Sequence, residues 1–161
     1  MTIWVVFLFA LGASVGSFLN VVAYRLPREM SLLRPASHCP RCQHRLAWYD
    51  NVPIFGWFLL RGRCRYCGGR FSIRYALVEL STALLFVLLF WAYFAKGVRE
   101  GIPDISHGGW LIYTGHIFLL CGLLACSLVD AEHYIIPLPI VYAMVAAALV
   151  ASGAGPYVLA G

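Results

Sequence analysis

Charge is what this sequence has least of. Only 12% of its 161 residues are Asp, Glu, Lys or Arg, about half the share in an ordinary soluble domain (~25%). With 61% hydrophobic residues and a mean hydropathy of +0.79, the chain is excluded from the soluble globular class. Acidic residues are the scarcer sign, 7 against 12 basic. Also missing are internal repeats, low-complexity tracts and any Gly-rich nucleotide-binding loop. The N-terminus has no basic segment ahead of its apolar run, and that run is too long for a secretory signal peptide.

What the chain does have is long apolar runs. Ile3 to Tyr24 carries no charge over 22 residues, Tyr75 to Ala95 carries only Glu79 over 21, and Trp110 to Val129 carries none over 20. Each is long enough to cross a bilayer as a helix. From Tyr134 the chain again carries no charge through Gly161. Pro137 and Pro139 suit the first turn of a helix, where a missing N–H costs nothing. The expected fold is therefore all-α, a polytopic membrane helix bundle of about four spans. Its parts are a first span at 1–24, a basic loop at 25–74, and spans two to four at 75–161. Lys96 to Gly109 reads as an external loop. Gly12 and Gly16 form a small-xxx-small pair that lets another helix approach, although glycine is common in membrane helices in any case. Asn20 is expected to hydrogen-bond a neighbouring helix or its own backbone.

Ten of the twelve Lys and Arg residues fall between Arg25 and Arg74, leaving only Lys96 and Arg99 elsewhere. The loop is short enough for the positive-inside rule (roughly 60 residues), which places it in the cytoplasm. Anionic headgroups and orientation account for its arginines, and nucleic acid is not needed as a partner.

Within that loop lie two Cys-x-x-Cys pairs, Cys39/Cys42 and Cys64/Cys67, 21 residues apart. Two such knuckles supply the four thiolates that tetrahedral Zn²⁺ prefers. The alternatives are two disulfides, four unrelated thiols, or a redox pair. A reducing cytosol disfavours disulfides, and no strand–helix–strand pattern surrounds either pair, as a redox motif would have. His38 and His44 are read as solvated, because four Cys already complete a tetrahedron. Between the pairs, Val52-Pro-Ile-Phe-Gly-Trp-Phe-Leu-Leu60 is apolar and too short to span. With Trp48 and Trp57 beside or within it, it reads either as a segment on the membrane or as a small core for the metal module. Cys121 and Cys126, deep in the third span, behave as small hydrophobes, and His116 reads as a helix-contact residue.

Asp130 follows the third span and, by span counting, emerges at the same face as the Cys loop. It is either a solvated helix-end carboxylate or a catalytic acid whose proton affinity is raised in a low-dielectric site. Peptide hydrolysis by carboxylates takes two of them sharing a proton. Neither Glu132, two residues on, nor Glu79, near Arg74 on another helix and expected to snorkel or pair there, is an obvious second.

Several motifs together carry a resemblance. GSFLNVVAYRLP at Gly16 to Pro27, CPRC at Cys39 to Cys42, and WYDNVPIFGWFLLRGRCRYCGGRFSIRY at Trp48 to Tyr75 lead, followed by LVEL at Leu77 to Leu80 and D-x6-P from Asp130 to Pro137. Over nearly the whole chain these resemble the bacterial prepilin leader peptidases, polytopic aspartic peptidases of type IV pilus and type II secretion systems. The resemblance implies an enzyme of the inner membrane that cuts basic leaders from prepilins and pseudopilins after a Gly, at the cytoplasmic face. It also implies methylation of the new N-terminus by many members, with S-adenosylmethionine as donor. Asp130 corresponds to the first catalytic Asp, and Cys39, Cys42, Cys64 and Cys67 to the family's tetracysteine site. Glu79 matches a Glu at the family's helix start.

The family's second Asp belongs to a later Gly-x-Gly-Asp motif, and no such motif occurs in these 161 residues. The resemblance therefore leads to the expectation of an amino-terminal part of such an enzyme. Two other functions are open: a membrane adaptor whose zinc module binds a partner, and a methyltransferase unit separated from the peptidase.

Overall fold

The computed structural model describes residues 1–95 and 109–159. The expected external loop, Lys96 to Gly109, lies outside the described residues except for Gly109, which is the first residue of a helix. The long apolar runs become helices because lipid offers the backbone no hydrogen-bond partner, so each N–H and C=O is satisfied within its own segment. They form α1 (Thr2–Arg25), α3 (Arg74–Phe90, with a wider π turn at Trp91–Ala95), α4 (Gly109–His133) and α5 (Leu138–Leu159). The remaining helix, α2 (Phe55–Leu59), is a short one in the loop. No strand occurs among the described residues, and the architecture is an all-α membrane bundle. Three helices are long and apolar enough to cross a membrane: Thr2–Arg28, Arg74–Phe94 and Gly109–His133. Leu138–Val150 is a shorter apolar helical stretch.

The boundaries have local causes. Pro27 turns the end of α1 into one tight turn, Leu26–Arg28, and Glu29 stops it in the left-handed region at φ 55°. Ser72 Oγ accepts the Arg74 N–H at 3.2 Å where α3 begins. Tyr134, at φ 55°, closes α4 by donating its N–H to the Asp130 carbonyl at 2.9 Å. Pro137 then lies just ahead of α5 and accepts the Ile140 N–H at 3.0 Å.

The core runs between α1, α3 and α4. Leu8 and Leu19 of α1 meet Val78, Phe86 and Phe90 of α3 and Tyr113, Ile117, Cys121 and Ala125 of α4. The Tyr113 hydroxyl donates to the Phe86 carbonyl at 2.9 Å. Cys121 is buried among these side chains as expected, whereas Cys126 is only half-buried.

The α1–α3 pair is the closest contact, and Gly12 and Gly16 make it possible. A Cβ on Gly12 would lie 2.8 Å from Ala83 Cα, and one on Gly16 2.7 Å from Glu79 Cα. Both are backbone obstacles that no side-chain rotation can clear, so the glycines are required by packing and are not incidental. Asn20 ties the same pair by donating Nδ2 to the Tyr75 carbonyl at 3.1 Å.

Gly16→Val is expected to force α1 and α3 apart and to destabilise the detergent-solubilised protein by about 1–3 kcal/mol, the usual range for overpacking. Thermal unfolding reads it. Ser14→Ala, on the exposed side of the same helix, should leave the transition in place.

Candidate functional site

The four cysteines of the basic loop come together. Cys39, Cys42, Cys64 and Cys67 place their Sγ atoms all within 4.8 Å of one another. Across the two knuckles, Cys39–Cys67 is 3.8 Å and Cys42–Cys64 is 3.9 Å. Tetrahedral Zn²⁺ with Zn–S bonds of ~2.3 Å requires S···S edges of about 3.8 Å, so the geometry fits that ion. It does not fit disulfides, whose sulfurs lie ~2.05 Å apart. No histidine joins the set: His38 Nδ1 lies 3.1 Å from the Ala36 carbonyl, and His44 stacks on Tyr66.

The sulfurs converge because the two knuckles are built alike. In the first, the Cys39 N–H donates to the His44 carbonyl and the Gln43 N–H to the Cys39 carbonyl, both at 2.9 Å. In the second, the Cys64 N–H donates to Gly69 at 2.8 Å and the Gly68 N–H to Cys64 at 2.9 Å. Gln43 and Gly68, the matching positions, both take positive φ (57° and 66°). Single bridges, His38 with Arg45 and Arg63 with Arg70, close each unit. The loop therefore contains a structural repeat. In the sequence its only trace is C-x-x-C-x-x-R, once as CPRCQHR and once as CRYCGGR.

Electrostatics favour thiolates here. Burial by itself pushes the Cys39 thiol up, but the N–H groups of Cys42 and Arg41 and the neighbouring thiols outweigh it and hold Cys39 at about 6. The amide near His44 pulls Cys42 down, yet desolvation and the other three thiols carry it up to about 11. Four crowded thiols that cannot all ionise alone are a donor set for a dication.

Asp50 holds the second knuckle to the turn at Trp48–Asn51. Its buried carboxylate receives Arg65 through both Nε (3.0 and 3.1 Å) and a terminal nitrogen (2.6 Å). Asp50 raises the Arg65 guanidinium above its usual range, by hydrogen bond first and charge second.

Glu79 departs from expectation. Arg74 pairs instead with Glu132 of α4, and Glu79, 9% exposed, accepts the Ile54 N–H at 2.7 Å. A cavity of about 220 Å³ lies between α1, the loop and α3, lined by Asn20, Tyr24, Asp50, Trp57, Tyr75 and Glu79 among others. That is below the roughly 300–1,000 Å³ of small-molecule sites and matches one or two side chains. Asn20 Oδ1 is the buried side-chain atom without a partner among the described residues.

Asp130 lies in the last turn of α4, which continues to His133, so it does not follow the helix as span counting implied. It is exposed. That end of α4 is fastened to the loop-bearing ends of α3 and α1, through the Arg74–Glu132 pair and through Arg28, 3.4 Å from His133 Nε2. The cysteine cluster and Asp130 therefore share one end of the bundle. His116 stays within its helix, its Nδ1 2.8 Å from the Ile112 carbonyl.

Residues 10–93 match the family described as the bacterial peptidase A24 N-terminal domain. Over 137 residues the chain is 44% identical to a prepilin leader peptidase/N-methyltransferase of Myxococcus xanthus, covering 84% of this chain and 36% of that protein. Similar proteins of the same name occur in Klebsiella pneumoniae, 38% identical over 88% of this chain and 60% of that protein, and in Pseudomonas aeruginosa, 36% identical over 79% and 47%. The chain thus spans from about a third to three fifths of the length of these curated relatives. No solved structure matches it.

Replacing Cys39 and Cys64 together by Ser is expected to abolish stoichiometric zinc in the purified protein, read by elemental analysis. In the unsubstituted protein, zinc affinity is expected to fall as the pH is lowered, because protons compete for the ligand sulfurs.

Proposed function

Since the chain belongs to the bacterial peptidase A24 family through its N-terminal domain, we propose that it acts as a prepilin leader peptidase. It would cut basic leaders from prepilins or pseudopilins at the cytoplasmic face of the bacterial inner membrane. The observation that carries this reading is the common location of Asp130 and the four-cysteine module at one end of a membrane bundle. A membrane-anchored substrate presents its leader at such a face.

In this reading Asp130 is one of two aspartates that share a proton, one activating water and the other protonating the peptide. Of the other described carboxylates, Glu132 is engaged by Arg74, Glu79 by the Ile54 N–H, and Asp50, the one other aspartate among them, by Arg65. We therefore assign the second aspartate to a position outside the described residues. Cys39, Cys42, Cys64 and Cys67 would hold Zn²⁺ in a structural role, since four protein sulfurs leave no open coordination position for chemistry. The metal fixes the fold of the loop, and the loop positions substrate at the bilayer. The adjoining cavity, sized for side chains, would accept residues flanking the cut. Methylation of the new N-terminal amine, with S-adenosylmethionine as donor, is the second activity that the relatives' names suggest.

Leader cleavage tests the reading, measured in membranes carrying the natural protein and a prepilin substrate. Asp130→Asn is expected to lower the rate by at least about 100-fold, the lower end of what a general acid–base group supplies, with zinc content unchanged. Ser127→Ala, on the same helix, should cleave normally. Normal cleavage by Asp130→Asn would remove Asp130 from the mechanism.

A further inference from the structure

The apolar stretch between the two knuckles does not pack as a core for the metal module. Phe55 and Phe58 are each 61% exposed, Leu59 78% and Trp48 81%. Only Ile54 and Gly56 of Val52–Leu60 are buried, and Ile54 is buried against the membrane helices. Its side chain joins Ala13 of α1 and Ala83 of α3, with Phe9 and Leu80 at the edge. Ala83 lies nine residues into α3 from Arg74, which is about 13 Å along the axis at 1.5 Å per residue. Ala13 lies twelve residues back from Arg25, or about 18 Å. The tip of the loop therefore reaches below the ends of the two spans.

The backbone at that tip is of an unusual kind. The Phe55 N–H donates to the Pro53 carbonyl at 2.6 Å, and Ile54 between them sits at φ 65°, ψ −58°. This is the strained γ-turn, rare for any residue and rarer for a β-branched one. Such a conformation costs about 1–3 kcal/mol and persists only where its surroundings impose it. Two groups impose it here: the α1–α3 pair that takes the Ile54 side chain, and the Glu79 carboxylate that takes its N–H. Non-helical backbone at membrane depth is tolerated only when its polar groups are satisfied by protein. Glu79 satisfies the innermost one.

We propose that Val52–Leu60 is a re-entrant segment whose Phe55, Phe58 and Leu59 side chains insert among the acyl chains of the adjoining leaflet. Glu79 is the latch that holds it there. The occupant of this exposed apolar face is lipid. The face continues the surface of two membrane-spanning helices at their own depth, and exposed Arg61, Arg63 and Arg70 follow it in the chain. The whole stretch Arg25–Arg74 sets ten arginines against the two carboxylates Glu29 and Asp50. Apolar side chains in the leaflet beside arginines at its surface fit an anionic bilayer. The segment would act as a keel, fixing the height of the metal module relative to the membrane, whatever reaction the protein catalyses.

Spin-label accessibility tests this on the zinc-loaded protein in phosphatidylcholine–phosphatidylglycerol vesicles. A nitroxide is attached through a noncanonical amino acid at position 58, at 59, or, as an aqueous reference, at exposed Gln43. At 58 and 59 collision with oxygen is expected to exceed collision with a water-soluble nickel chelate several-fold, with the reverse at 43. Nickel accessibility at 58 and 59 equal to that at 43 would overturn insertion. In Glu79→Ala, with zinc content as the check on folding, the label at 58 is expected to become accessible to nickel. An unchanged depth would overturn the latch.

Discussion

A hydrogen bond to a buried carboxyl ties the tip of the cysteine loop to the membrane helices. Glu79, on a membrane-spanning helix, receives the N–H of Ile54, at the tip of the loop that carries the cysteines. A typical protein hydrogen bond contributes roughly 0.5–1.5 kcal/mol net, enough to offset part of the strain in the Ile54 turn. The bond can form only because α3 runs close to α1. That closeness rests on Gly16, whose hydrogen faces the Cα of Glu79 itself. Glycine on one helix, carboxylate on the other and a strained turn between them form one unit, and none of the three has a reason to exist alone.

From that unit the loop is built outward. The carbonyl of Asp50 lies against Gly56, where a Cβ would not fit. The Asp50 side chain grips Arg65 inside the second knuckle. Its sulfurs then meet those of the first. A chain of specific contacts thus runs from the membrane helices to the cysteine cluster. On the other side, Arg74 begins α3 and reaches Glu132 near the end of α4, which brings Asp130 to the same end. This pair is half-exposed, and such pairs contribute little to stability (about 0–1 kcal/mol). Its role is placement.

The spans were legible because a run of twenty uncharged apolar residues admits few other structures. The cysteine cluster was legible because two short spacings bring four soft ligands together. Asp130 could be placed at the correct end by counting spans, although α4 runs one turn further than the apolar run because charged and polar residues at a membrane face still favour helix. The partner of Glu79 was not legible. Sequence proximity pointed to Arg74, while the actual partner is a backbone N–H donor 25 residues earlier in the chain, and backbone groups carry no signature in a sequence. The two-fold likeness of the knuckles was faintly written in CPRCQHR and CRYCGGR. It was easy to miss because the conformational rule, positive φ four residues after the first Cys, is met once by glycine and once by glutamine.

The scarcity of charge now acquires a structural meaning. Every described carboxylate with a resolved partner is bound to a specific cation or N–H: Asp50 to Arg65, Glu132 to Arg74, Glu79 to Ile54. Each of these three acids can be followed to a positional task, because solubility places no demand on a surface that meets lipid. Asp130 and Glu29 differ from these three: both are exposed and neither makes a side-chain hydrogen bond or ion pair among the described residues. Of the two, only Asp130 lies on a membrane-spanning helix, and a carboxylate held in place only by its helix is open to something that arrives from outside the chain. That placement is the physical support for the role proposed for Asp130.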